Sequence, residues 1–344
     1  MAVTVGLLGA TGAVGQRFVQ LLDGHPEFRV GAVTASPDSA GDAYGDAVDW
    51  RLETPLPASV ADLEVRPTDP SAVPDDVALI FSSLPSAVAA EVEPAFAAAG
   101  YVVSSNSSND RLADDVPLVI PEINADHLAV IDRQRRERGW DGALVKNPNC
   151  STIAMVPTLA ALAPYGLETV HVATLQAVSG AGYDGVPSMA IIDNVIPHID
   201  GEEAKMEQET AKLLGTRDGD TIAPHDVTVS ASCNRVPTID GHLENVWVET
   251  AEDLGVDAAR DAFRDAPTAD LPSAPATLID VASAPDRPQP RLDRLHGDGM
   301  TITVGGLQST ATGLQYNCLV HNTLRGAAGA SLLNGELLAR EGYL

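Results

Sequence analysis

The 344-residue sequence predicts an α/β protein, with a doubly wound parallel sheet in its N-terminal part and an α+β unit of mixed sheet after it. Three observations predict this. The chain opens with a short β-like run, a glycine-rich turn and an amphipathic helix. Strand and helix patterns then alternate to about residue 150. Beyond that point longer β-like runs take over, with only two helical stretches between them.

The opening elements follow in order. Val3, Val5, Leu7 and Leu8 form the first β-like run, and "GATGAVG" turns it into a helix with Val14, Phe18, Leu21 and Leu22 on one face. Gly24 and Pro26 stop that helix, and "FRVGAVTAS" reads as the second strand of a βαβ unit. "VALIFSSLP" (77–85) is a strand and turn, "SAVAAEVEPAFAAAG" (86–100) a helix, and "YVVSSNS" (101–107) a further strand. Such alternation favours a parallel sheet covered on both faces. After residue 150, "GLETVHVATLQAVSG" (166–180), "DVTVSASCNRVPT" (226–238), "HLENVWVET" (242–250) and "GMTITVGGLQ" (299–308) read as strands of a mixed or antiparallel sheet. Helical patterns cover about 201–214 and 255–265, a proline-rich loop covers 282–299, and the tail is helical again.

Composition narrows the function. Twenty-one basic and 48 acidic residues give a net charge of −27, and only Lys146, Lys205 and Lys212 are lysines. Nucleic acid is a poor partner for such a surface, because phosphate backbones require basic patches. Dispersed acid with scarce lysine resembles proteins of salt-accumulating archaea, where salt screens carboxylate repulsion. No apolar run is long enough to span a membrane, and the N-terminus lacks the basic region of a secretion signal. Cys150, Cys233 and Cys318 are far apart, which argues for a reducing cytoplasm and against disulfides or a metal site.

Gly9, Gly12 and Gly15 sit between first strand and first helix, where backbone N–H groups can approach a dinucleotide pyrophosphate at a helix N-terminus. The spacing GxxGxxG is also compatible with a tight turn that binds nothing. At the end of the second strand, Ala35 and Ser36 stand where NAD-specific folds carry an acid. Small residues there leave room for a 2′-phosphate and favour NADP, although no arginine follows and Asp38 is close by.

The stretch "ALVKNPNCSTIAMVPTLAAL" reads as strand, turn and helix, with Asn149 as N-cap and Cys150 in the first helical turn. A helix N-terminus there would lower the thiol pKa, as a nucleophile requires. Helix starts also carry inert cysteines, so local features leave the role of Cys150 open. Cys233 and Cys318 read as small buried hydrophobes. A nucleophilic cysteine needs an acid/base partner, which His242 could supply, and Arg235 could fork onto a substrate carboxylate.

Together these stretches resemble aspartate-semialdehyde dehydrogenase of the archaeal and fungal kind, over nearly the whole chain. "GATGAVGQ" is similar to its NADP loop, "NPNCST" to its cysteine segment, "QAVSGAGY" to its glutamine loop, and "RVPTIDGH" to its arginine–histidine segment. "PLVIPEIN", "RPQPRLD" and "NTLRGAAGASLL" match as well. The resemblance implies Cys150 as nucleophile and His242 as general acid/base. It implies Gln176, Arg235 and Glu202 as substrate contacts, with Arg111 and Lys205 holding phosphate, a co-substrate in the oxidative direction. Glu203 competes with Glu202 for its role, and Glu202 with Lys205 also fits an ordinary (i, i+3) helix pair. NADP(H) would be bound by Gly9, Thr11, Gly12, Ala13, Val14, Gly15, Ser36, Ser39, Ser83, Gly180 and Asn322.

The same resemblance implies a Rossmann-like domain over 1–149, a catalytic and dimerisation domain over 150–320, and a C-terminal helix over 321–344 returning to the first domain. The assembly would be a homodimer or homotetramer acting on a small molecule. Malonyl-CoA reductase is the nearest alternative. N-acetyl-glutamyl-phosphate reductase typically carries glycine where Asn149 stands, and a catalytically silent dinucleotide-binding regulator is the reading from another class.

Overall fold

The computed structural model describes residues 2–344. Six parallel strands form the first sheet: β1 (Val3–Leu8), β2 (Phe28–Thr34), β3 (Val65–Arg66), β4 (Val77–Ser82), β5 (Val102–Ser105) and β6 (Ala143–Lys146). Their spatial order is β3-β2-β1-β4-β5-β6, the doubly wound arrangement, which reverses between β1 and β4 and opens a crevice at their C-terminal ends. The strands are apolar on both faces because helices cover both. Phe18, Phe28 and Phe81 pack together on one face, Phe18 stacked on Phe81 at 5.0 Å between centroids and Phe28 edge-on to it at 6.0 Å.

After a hairpin of β8 (Thr216–Asp218) and β9 (Thr221–Ala223), the remaining strands complete the second sheet begun by β7 (Leu167–Gln176). These are β10 (Thr228–Arg235), β11 (His242–Thr250), β12 (Ile279–Val281), β13 (Ile302–Ser309) and β14 (Leu314–Val320). Their order is β10-β7-β11-β14-β13-β12, with parallel pairs at both edges and antiparallel pairing in the centre. Helices Thr152–Leu162 and Val256–Arg264 cover one face, where Val170, Val246, Phe263 and Tyr316 are buried.

Helix Gly329–Arg340 packs against β4, β5 and helix Ala13–Leu22, so the tail returns to the first sheet. Its approach depends on Gly335, where a Cβ would stand 2.6 Å from the Phe81 ring. The strand expectations hold closely; β11 has the expected limits. Strands β3, β12 and β14, helix Val130–Arg138 and the small hairpin are elements the sequence expectations did not include.

Three strands end at one place. Strand β6 delivers Asn147–Cys150. Strands β7 and β10 run side by side, with Gln176 directly beside Arg235, and β11 starts there in the opposite direction with His242.

Candidate active site

Gly9 adopts a left-handed backbone (φ 74°), and a Cβ on Gly15 would stand 2.2 Å from the Gly9 carbonyl oxygen. Only glycine fits at these two points. Helix Ala13–Leu22 starts at Gly12 with no side-chain cap, so its first N–H groups are open to an anion. This cradle fits a dinucleotide pyrophosphate. Thr11 accepts from the Gln16 amide through its carbonyl, and the Ser83 hydroxyl donates to the carbonyls of Leu8 (3.0 Å) and Gly9 (3.2 Å). Ser36 and Ser39 follow the end of β2, whose Thr34 carbonyl accepts the Ala10 N–H.

Asn149 holds the cysteine turn. Its side-chain Oδ1 accepts from the Ser151 N–H at 2.8 Å and the Thr152 N–H at 3.3 Å, and its carbonyl accepts from Ile153. The capping role expected of Asn149 is therefore present, although regular helix begins at Thr152 and Cys150 lies in the turn before it.

Cys150 Sγ is 3.3 Å from His242 Nε2. The thiol differs from expectation in one respect: burial, with Glu202 adding to it, pushes its pKa up to about 12 rather than down. Desolvation outweighs the pull of Arg235 and Arg111, and with the helix starting two residues later its dipole does not rescue the thiolate. Burial also lowers His242 to about 3, helped by Arg235 and His321. His242 Nδ1 accepts the Ala177 N–H at 3.1 Å, so the neutral ring carries its proton on Nε2, facing sulfur.

The segment after β7 organises this corner. The Ala177 carbonyl accepts from Arg235 Nη1 at 2.8 Å, and Gln176 is buried with its amide on the Thr174 hydroxyl. Gly180 lies so close that a Cβ would be 2.7 Å from Arg235 Nη1 and 3.3 Å from His242 Nε2. Asn322 ties the tail to it, donating to Ser179 Oγ and accepting from the Gly241 N–H, both at 2.8 Å. From the tail side, a Cβ on Gly326 would lie 2.9 Å from the Cys150 Cβ.

Helix Glu202–Leu213 closes the remaining side. Glu202 accepts from the Asn149 side-chain amide at 2.9 Å and pairs with Lys205 at 3.2 Å, so the ordinary helix pair and the contact with the cysteine segment coexist. Glu203 turns away and accepts the Cys233 N–H of β10. Arg111 is buried, donating to Glu209 Oε1 at 2.8 Å and to the Asn106 carbonyl at 2.7 Å. A cleft of about 270 Å³ joins these parts: Ala13 and Val14 of the glycine turn, Cys150, Gly180, Arg111, Lys205 and Asn322 all line it.

Sequence reasoning missed Glu209, whose second oxygen accepts the Asn149 N–H at 2.7 Å, and Lys212, which donates to the carbonyls of Arg111, Ala113 and Val116. A signal was present. Glu202, Lys205, Glu209 and Lys212 repeat at i, i+3, i+7 and i+10, the stripe where a packed helix normally carries apolar side chains.

A family model for the NAD-binding domain of semialdehyde dehydrogenases matches residues 4–131, and one for their dimerisation domain matches residues 159–325. Fold and matches together define the class, the semialdehyde dehydrogenases. Over 342 residues, 99% of each chain, the sequence is 54% identical to an aspartate-semialdehyde dehydrogenase of Archaeoglobus fulgidus. A crystal structure of aspartate-semialdehyde dehydrogenase with NADP from Candida albicans superposes with a TM-score of 0.91 at 38% identity, covering all of both chains. The protein belongs to the aspartate-semialdehyde dehydrogenase family. A malonyl-CoA reductase (NADP) of Metallosphaera sedula is similar at 38% identity over 98% of this chain and 97% of its own.

Proposed function

We propose that this chain reduces L-aspartyl 4-phosphate to L-aspartate 4-semialdehyde and phosphate with NADPH, through a thioester on Cys150. The observation that carries the reading is Cys150 Sγ lying 3.3 Å from His242 Nε2, on the wall of a cleft shared with the glycine turn. In this reading Arg235 forks onto the substrate's α-carboxylate, Gln176 orients the acyl group, and Glu202 meets the amino group. Arg111 and Lys205 receive the phosphoryl end. The glycine turn takes the pyrophosphate, Ser36 and Ser39 flank the ribose phosphate, and Gly180 and Asn322 face the nicotinamide side.

Sulfur attacks the acyl carbon, the carbon–oxygen bond to phosphate breaks, and the thiol proton ends on the hydrogen phosphate that leaves. Bound NADPH supplies the hydride. His242 donates its Nε2–H to the oxygen as it becomes negative; the tetrahedral adduct then collapses to the aldehyde, expelling the Cys150 thiolate, which recovers one proton from solvent by way of His242 to restore the resting thiol. Splitting one reduction into acylation and hydride acceptance is the gain of covalent catalysis. A resting pair of neutral thiol and neutral imidazole suits a cysteine that ionises only with its substrate in place.

The division into a dinucleotide domain (1–149), a catalytic and dimerisation domain (150–320) and a returning tail (321–344) goes with this reading. The match to a dimerisation-domain model supports a homodimer or homotetramer. Three free cysteines support a cytoplasmic setting, and among the described residues no helix is long and apolar enough to cross a membrane. The test is NADPH formation from aspartate semialdehyde, NADP and phosphate, repeated with Cys150→Ser. Phosphate-dependent turnover that falls about 10⁴-fold in the variant is expected. Absence of phosphate dependence defeats the reading, and turnover of malonyl-CoA in its place transfers the chain to the other activity.

A further inference from the structure

We propose that Glu209 is a positioning residue of the phosphate pocket: it binds Arg111 and the Asn149 backbone amide together, and its charge sets how tightly phosphate is held. The proposal rests on the reading of Arg111 and Lys205 as the phosphate pair.

Glu209 is buried, and its two oxygens are divided between two functional segments, Oε1 to Arg111 at 2.8 Å and Oε2 to the Asn149 N–H at 2.7 Å. A side chain needed only for packing on this stripe would be apolar. One turn on, Lys212 gathers the carbonyls of Arg111, Ala113 and Val116 within 2.8 Å, so the loop carrying Arg111 is held from behind. One turn back, Lys205 has its own carboxylate in Glu202 at 3.2 Å. The pocket therefore contains two cations, each already paired with a carboxylate of the same helix, and its net charge is near zero.

That balance has a consequence for a reaction in which phosphate must leave. Two unpaired cations in a partly desolvated cleft would grip a phosphate dianion strongly. Glu209 offsets Arg111 and repels the anion, which keeps phosphate exchangeable. Because the same carboxylate holds the Asn149 amide, one residue before Cys150, the phosphate end and the thiol are set by one rigid connector.

The experiment measures initial rates of NADPH formation with varied inorganic phosphate for the intact protein, Glu209→Gln and Arg111→Ala. Glu209→Gln is expected to lower the KM for phosphate about tenfold, leave the KM for NADP unchanged, and slow the reductive direction, where phosphate is the product. Glu209→Asp, which keeps the charge but withdraws it from Arg111, is expected to move the phosphate KM the same way by about threefold, and it serves if the amide variant does not fold. A phosphate KM that is unchanged or raised in the folded variant overturns the proposal. Arg111→Ala separates the two levels. If it raises the phosphate KM while Glu209→Gln leaves it alone, only the role of Glu209 fails; if Arg111→Ala also leaves it alone, the phosphate pocket itself has been misassigned.

Discussion

The two walls of the cleft are built on opposite physical plans. The glycine turn acts through backbone shape: Gly9 at positive φ, Gly15 with no room for a Cβ, and a helix start without a side-chain cap. The cysteine wall acts through buried polar side chains: His242, Glu202, Glu209, Arg111 and Arg235 are each less than a tenth exposed and tied to a partner in another segment. A backbone device is local and shows within seven consecutive residues, Gly9 to Gly15. A buried charge network is non-local, and each member makes sense only beside its partner.

If the walls are separable, damage to one should spare the other. Of the changes that test this separation, the largest effect is expected for Arg235→Lys, which replaces a planar fork by a point charge. The kcat/KM for aspartate semialdehyde should fall about 10²-fold while the dissociation constant for NADP, read by fluorescence titration, stays put. A parallel loss of NADP affinity would break the comparison.

On the other wall, Gly15→Ala places a methyl group 2.2 Å from the Gly9 carbonyl. It should cost about 2 kcal/mol of stability in urea unfolding and weaken NADP, with kcat at saturating cofactor within about twofold of the intact enzyme. A large drop in kcat would mean that the turn reaches into the chemistry.

The smallest effect concerns acid. Burial lowers His242 to about 3 and His321 to about 4, whereas unfolded histidine titrates near 6.5. The unfolded chain therefore binds more protons below that point, so the stability from burying neutral rings is complete above about pH 6.5 and is lost as pH falls towards 4. The slope is about 1 kcal/mol per pH unit for each ring. Unfolding at pH 6.5 and 5.5 should show it, and His242→Asn should flatten it; an unchanged slope would show that the ring is not held neutral.

This difference between the walls also explains what the sequence made legible. The glycine turn, the alternating elements around it and the limits of β11 follow from local patterning. The cysteine, histidine and arginine segments stand out as short motifs, and the structure brings Cys150, His242, Gln176 and Arg235 to one corner because β7 and β10 end together. Strand β14 is a different case: Leu314, Tyr316 and Cys318 are buried in alternation with half-buried Gln315 and Asn317, so its signal was present in the sequence and went unused. The raised thiol pKa escaped because burial outweighs a helix dipole only when the fold is known. Glu209 and Lys212 escaped because an acid or a lysine on a helix reads as solvated surface until Asn149 and the 111–116 carbonyls are placed against it.

The lysines carry one more consequence. All three in the chain lie around the cysteine wall: Lys146 sits in an ion pair with Glu93, Lys212 is caged by three carbonyls, and Lys205 opens onto the cleft with a third of its side chain exposed. A protein without lysine elsewhere offers amine-directed chemistry almost no target. Acylating or glycating reagents that exhaust themselves on the surface of ordinary enzymes meet here a single open side-chain amine, and it stands on the wall of the cleft that holds Cys150.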